Sequence, residues 1–145
     1  MLTSLLLVAH VIGLALAVGA ASVKLMLLFR CRKDRSFLPT YIAVARPVTR
    51  LIILGLVLLT LSGVGWLLLG REFTPLLIAK LVLVGVVWVL GPIIDNVAEP
   101  KFRQLAPQPG ESASAAFLGA EQRYLLLETT ATGLFYVIVV MWLLG

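Results

Sequence analysis

The chain has 145 residues, 61% of them apolar and 13% charged, with a mean hydropathy of +1.07. A soluble domain is roughly half apolar and about a quarter charged, so this composition excludes a soluble globular protein and describes a small polytopic membrane protein. The net charge of +5 is unevenly placed and reads as a topology signal that gives no reason to invoke nucleic acid.

Four apolar runs predict an all-α bundle of four transmembrane helices in a single domain, residues 1–145. The first covers about 2–29, and Leu5 to Val23 carries no formal charge. It lacks a basic leader and is followed by basic residues, so it reads as a retained helix and not a cleaved signal. Residues 30–47 are basic and then partly apolar, which suits a short helix along the interface, broken at Pro47. The lone cysteine, Cys31, falls in this loop and can form no internal disulfide.

The second run covers about 48–69. The third, about 75–97, opens on Pro75, where a missing N–H costs little, and contains Lys80. Residues 98–121 read as a linker, flexible around Pro100, Pro107, Pro109 and Gly110. The fourth run covers about 122–144, with helix-forming residues from Ala115 to Arg123 as a lead-in, and contains Glu128. None of the runs shows the alternation of a transmembrane β-strand.

Basic residues assign the orientation. Ten of them (Lys24, Arg30, Arg32, Lys33, Arg35, Arg46, Arg50, Lys101, Arg103 and Arg123) fall at one end of the bundle and only Arg71 in the connection at the other. This pattern predicts both termini outside and two cytoplasmic loops, in a bacterial-type inner (plasma) membrane. The expected partners are the lipid bilayer and other membrane subunits or further copies of the chain.

Ionisable groups inside a bilayer are where function is sought first. His10 and Lys80 lie about 8–12 Å below the outer boundary at 1.5 Å per residue, on helices running in the same direction, and are the candidate ligand-binding pair. His10 shares a stripe with Gly13, Ala17, Ala20, Ala21 and Lys24, a face small enough for close helix approach. Its imidazole is either hydrogen-bonded to a neighbouring helix or a metal or proton ligand; Lys80 either snorkels to the headgroups or points inward. At the basic end, Glu128 is expected to pair with Arg50 or Lys24, with Asp95 nearby, as structural ion pairs. Trp66 and Trp142 fall near helix ends, as an aromatic belt requires, and Trp88 is deeper.

His10 and Gly19, the Arg46 to Arg50 segment, the run Leu58-Leu59-Thr60-Leu61-Ser62-Gly63-Val64-Gly65-Trp66-Leu67-Leu68 and Pro75-Leu76-Leu77-Ile78-Ala79-Lys80-Leu81-Val82-Leu83 together resemble the copper-resistance-D-like small membrane proteins. The four-helix protoporphyrinogen oxidases of the HemJ type share the pattern. The resemblance implies that His10 and Lys80 belong to a site that can hold haem. Ala17 stands where those relatives commonly carry Trp, and with one His in the chain a bis-His haem would need a second subunit.

The loops carry no nucleotide motif, metal-spaced His or Cys cluster, or Ser–His–Asp arrangement. The first reading is therefore a non-enzymatic inner-membrane protein, an accessory subunit or small ligand-handling component of a membrane complex. The alternatives are a haem-binding or redox protein resembling the HemJ type and a copper or ion permease using His10, Lys80 and Glu128.

Overall fold

A bilayer core offers no water to backbone N–H and C=O groups, so each crossing segment must satisfy its own, which a helix does. The computed structural model describes residues 1–144. Helix α1 spans Leu2–Lys33; after a tight turn at Arg35–Phe37, α2 spans Leu38–Leu68. Helix α3, Pro75–Ile93, passes through a wide π-helical turn at Ile94–Ala98 into the short α4, Glu99–Gln104. Helix α5 spans Ala115–Leu143. Four helical segments, Leu2–Lys33, Arg35–Leu68, Pro75–Gln104 and Ala115–Leu143, are long and apolar enough to cross a membrane. Their outward faces carry exposed Val11, Leu54, Val82, Val89 and Val140, a surface suited to acyl chains and not to water.

The small-residue stripe of α1 is where the bundle closes. Gly13, Ala17 and Ala21 are buried, and α1 lies against α2 so closely that a Cβ on Gly13 would stand 2.8 Å from the Gly55 carbonyl oxygen. Helix α5 packs on both α1 and α3, with Ala17, Ala21, Leu56, Val87 and Phe135 forming the mid-bundle core.

At the basic end the helices outrun the expected spans and make a second core of Leu28, Cys31, Leu38, Tyr41, Phe102, Phe117 and Tyr124. The Phe102 ring lies 5.3 Å from Phe117 and 5.0 Å from Tyr124, centroid to centroid. This core explains three corrections to the expected boundaries. Helix α1 continues beyond residue 29 to Lys33, so Cys31 lies buried in its last turn and not in a loop. Helix α2 starts at Leu38 and carries Pro47 inside it, because Leu38, Tyr41 and Ala45 bury one face ahead of the proline and outweigh its missing bond. The stretch 98–121 is mostly helical: Glu99 and Phe102 anchor α4, Ser114 caps α5 by accepting from the Phe117 N–H at 3.1 Å, and only 105–114 remains a connection.

Candidate functional site

The structure concentrates the polar groups of the spans in two places, one near each end of the bundle. At the end carrying the short α2–α3 connection, His10 Nδ1 lies 2.8 Å from Ser62 Oγ. The single Ser62 hydroxyl proton has the carbonyls of Leu58 and Leu59 within reach at 2.7 and 3.0 Å; with the proton engaged there, we assign His10 Nδ1–H as donor to Ser62 Oγ, which leaves the lone pair on Nε2. Trp66 stacks beside the imidazole, 5.0 Å between centroids, and the Arg71 guanidinium sits 5.4 Å from the Trp66 ring centroid. Trp88, on the third span, donates to Thr60 Oγ1 at 3.0 Å and ties α3 to α2.

His10 and Lys80, placed by sequence at similar depth, line one cavity of about 160 Å³. Arg71, Trp66 and Trp142 join them, and the remaining wall is largely Leu, Val, Ile and Phe from all four spans. Among the described residues, the charged groups in its lining are all cationic, with no carboxylate. Such a pocket favours an apolar body carrying an electron-rich or anionic end. In the sequence, Arg71 reads only as a topology residue. Its place over Trp66 follows from the chain turning at the end of α2, where Gly70 takes φ +84° and the Arg71 N–H donates to the Trp66 carbonyl at 3.3 Å; Gly70 just past the last apolar residues is the signal for that turn.

At the basic end, Lys24 is 2% exposed and its Nζ lies 2.6 Å from Glu128 Oε1, 3.2 Å from Glu99 Oε2 and 3.9 Å from Asp95 Oδ1. Of the two expected partners for Glu128, the structure selects Lys24; Arg50 is exposed and makes no ion pair among the described residues. Arg103 holds the other Glu99 oxygen through Nε at 3.0 Å and Nη2 at 2.7 Å. Tyr124 donates to Glu99 Oε2 at 3.3 Å, and its hydroxyl lies 2.8 Å from that of Tyr41. Asp95, within the wide turn that follows Pro92, and Glu99, immediately after it, both reach Lys24; such a helix irregularity is common at functional sites. Glu99 falls within the stretch that the sequence marks as a linker, and nothing in the local sequence shows that the helix continues through Pro100. Further along the same end, Arg35 grips the buried Glu121 with both terminal nitrogens, joining the α1–α2 turn to α5.

Among the described residues, no three His, Cys, Asp or Glu side chains come together in a metal-holding arrangement. For haem, the group the resemblance implies, the donor chemistry and the space disagree. His10 Nε2 is suited to an iron and the cations to carboxylates, but 160 Å³ is close to the roughly 150 Å³ that encloses one benzene ring, too little for a porphyrin. Comparison of the chain with protein-family models, with curated proteins and with solved structures found no match.

Proposed function

We propose that this multi-pass membrane protein is a non-enzymatic, ligand-handling component of a membrane complex, and that it holds a fatty-acid-like amphipathic anion. The observation that carries this reading is the convergence of His10, Arg71 and Lys80, without a carboxylate, on one apolar cavity. A cationic rim over an apolar wall at bilayer depth suits a ligand that arrives laterally, with its acidic oxygens held by Arg71 and Lys80 and its first methylenes packed among Leu59, Leu81 and Val84. His10 Nε2, as an acceptor, suits a protonated carboxyl or hydroxyl at the same position. In the proposed orientation this is the outer half of a bacterial-type inner membrane.

Trp66 and Trp142 line the cavity and Trp88 does not, so a Trp88→Phe protein in detergent reports occupancy through its fluorescence. Titration with a brominated fatty acid is expected to quench saturably, with affinity reduced about tenfold or more in Arg71→Gln and Lys80→Gln, since one charge-assisted bond is worth roughly 1.5–3 kcal/mol. Quenching that never saturates, or that is equal in all variants, overturns the reading. A Soret band in the purified protein, lost in His10→Ala, would replace it with the haem reading. An accessory role predicts a larger assembly on native mass spectrometry when partners are retained; a strictly monomeric protein that moves an ion into liposomes contradicts it.

A further inference from the structure

A second cavity, of about 60 Å³, lies toward the basic end and is lined by Lys24, Thr49, Asp95, Glu128, Thr132 and Phe135 together with apolar side chains of α2, α3 and α5. Three observations make it more than a packing gap. First, charge is unbalanced around it: Asp95, Glu99 and Glu128 face only Lys24 and Arg103, which leaves one negative charge over at a place where an unpaired ion is costly. Second, two hydroxyls on its wall, Thr49 Oγ1 and Thr132 Oγ1, are buried with no hydrogen-bond partner among the described residues, and Thr132 is only 4% exposed. In most helices such a hydroxyl bonds the carbonyl one turn back, as Thr60 and Thr130 do here. Third, the carboxylates keep acceptor capacity: Glu128 Oε1, although 2.6 Å from Lys24 Nζ, is buried without a hydrogen-bond partner among the described residues, and Asp95 Oδ1, 3.9 Å from the same ammonium, is beyond hydrogen-bond reach of it.

We propose that this cavity binds one monovalent alkali cation. Its ligands are carboxylate oxygens of Glu128 and Asp95 and the hydroxyl oxygens of Thr49 and Thr132, completed by water, for which the volume suffices. A single positive charge balances the surplus; a divalent ion would overshoot it. A proton would also balance the charge but would leave both threonine oxygens unpartnered, whereas hard cations take several oxygen ligands at once. Lys24 does not fill the position, because its ammonium donates to Glu99 Oε2 at 3.2 Å and reaches neither threonine hydroxyl. Asp95, 28% exposed at the side chain where α3 leaves the bundle, provides the route of exchange. The inference is independent of the ligand proposed for the other cavity.

The test compares the thermal unfolding of the full chain in detergent in sodium, potassium and choline chlorides at constant ionic strength and pH. Either alkali ion is expected to raise Tm saturably, by roughly 5–10 °C at about a hundredfold excess over Kd, and choline is not. Thr132→Val and Thr49→Val, which keep shape and remove the oxygen, are expected to abolish the increment, while the exposed Thr129→Val retains it. A Tm that follows pH but not the choice of cation assigns the charge to a proton and overturns the proposal. Equal behaviour in all three salts assigns the cavity to water and does the same, as does stabilisation by magnesium or calcium alone. Should both cavity variants fail to fold, binding of radioactive sodium to the wild-type protein, displaced by unlabelled alkali ion but not by choline, decides the matter.

Discussion

Gly13 and Gly55 meet backbone to backbone: a Cβ on residue 55 would stand 2.6 Å from the Gly13 carbonyl oxygen and 2.5 Å from the Ala17 nitrogen. Neither neighbour is a flexible side chain, so a larger residue must push α1 off α2, the closest helix pair in the bundle. Gly55→Val is expected to lose roughly 1–3 kcal/mol or more through overpacking. Gly19→Val, where nothing lies within 4 Å, is expected to be near neutral. Unfolding in mixed micelles measures both, and equal effects would show that this contact does not define the packing.

The Lys24 cluster makes a prediction about non-additivity. Lys24→Met leaves Glu128 and Glu99 buried without their shared cation, a loss of roughly 3–5 kcal/mol where one partner of a buried pair is removed. Adding Glu128→Gln removes one of the stranded carboxylates, so the double variant is expected to be more stable than Lys24→Met alone. A double-mutant cycle on unfolding free energy checks this; strict additivity would mean that the two side chains do not interact.

The four spans, the face of α1 and the pairing of Lys24 with Glu128 were legible because each follows from a local rule: hydrophobic length, the 100° period of a helix, and the cost of a lone charge in lipid. The co-location of His10 and Lys80 was half legible, since helix direction sets depth but not rotation about the axis. The cap at the basic end was not legible. Pro47 and Pro100 mark breaks by local preference, yet burial of Tyr41, Phe102 and Phe117 against one another carries the helices through them, and such long-range packing leaves no local trace. Ser62 was hidden for the same reason: only the close approach of α1 to α2 sets it opposite His10.

Cys31 offers a direct reading of that cap. Its side chain is fully buried among Leu28, Tyr41 and Phe117, so a maleimide is expected to label it negligibly in the native protein and fully after SDS unfolding. Phe102→Ala removes the ring at the centre of the cluster, a change that costs roughly 3–5 kcal/mol in a packed core, and is expected to raise native-state labelling while the spans stay helical by circular dichroism. Rapid labelling of the unmutated protein would show that the cap is open.

Orientation can be read with reporters. In the orientation proposed from the charge asymmetry, the Pro-rich connection at 105–114 and the tight turn at Arg35–Phe37 face the cytoplasm. A phosphatase appended to the C-terminus is expected to be active, being exported, and the same reporter inserted at Gly110 inactive. The reverse pair of results would invert the molecule and put the His10 cavity in the inner leaflet.

His10 is the single histidine of the chain, so its ring nitrogens can be observed without assignment by mutagenesis. With the single Ser62 hydroxyl proton engaged by the Leu58 and Leu59 carbonyls, the assigned tautomer of His10 carries its proton on Nδ1, toward Ser62 Oγ. Nitrogen NMR of protein labelled at histidine is expected to show a protonated Nδ1 and an unprotonated Nε2 at neutral pH. Ser62→Ala leaves Nδ1–H without its partner, a loss of about 1–3 kcal/mol if the proton stays there; the expected response is a shift of population toward the Nε2–H tautomer. That shift replaces an acceptor with an N–H donor at Nε2, so the variant is expected to strengthen quenching of Trp66 by the ionised fatty acid although Arg71 and Lys80 are unchanged. A wild-type ring already protonated at Nε2 would break the link between the Ser62 contact and the lone pair offered to a ligand.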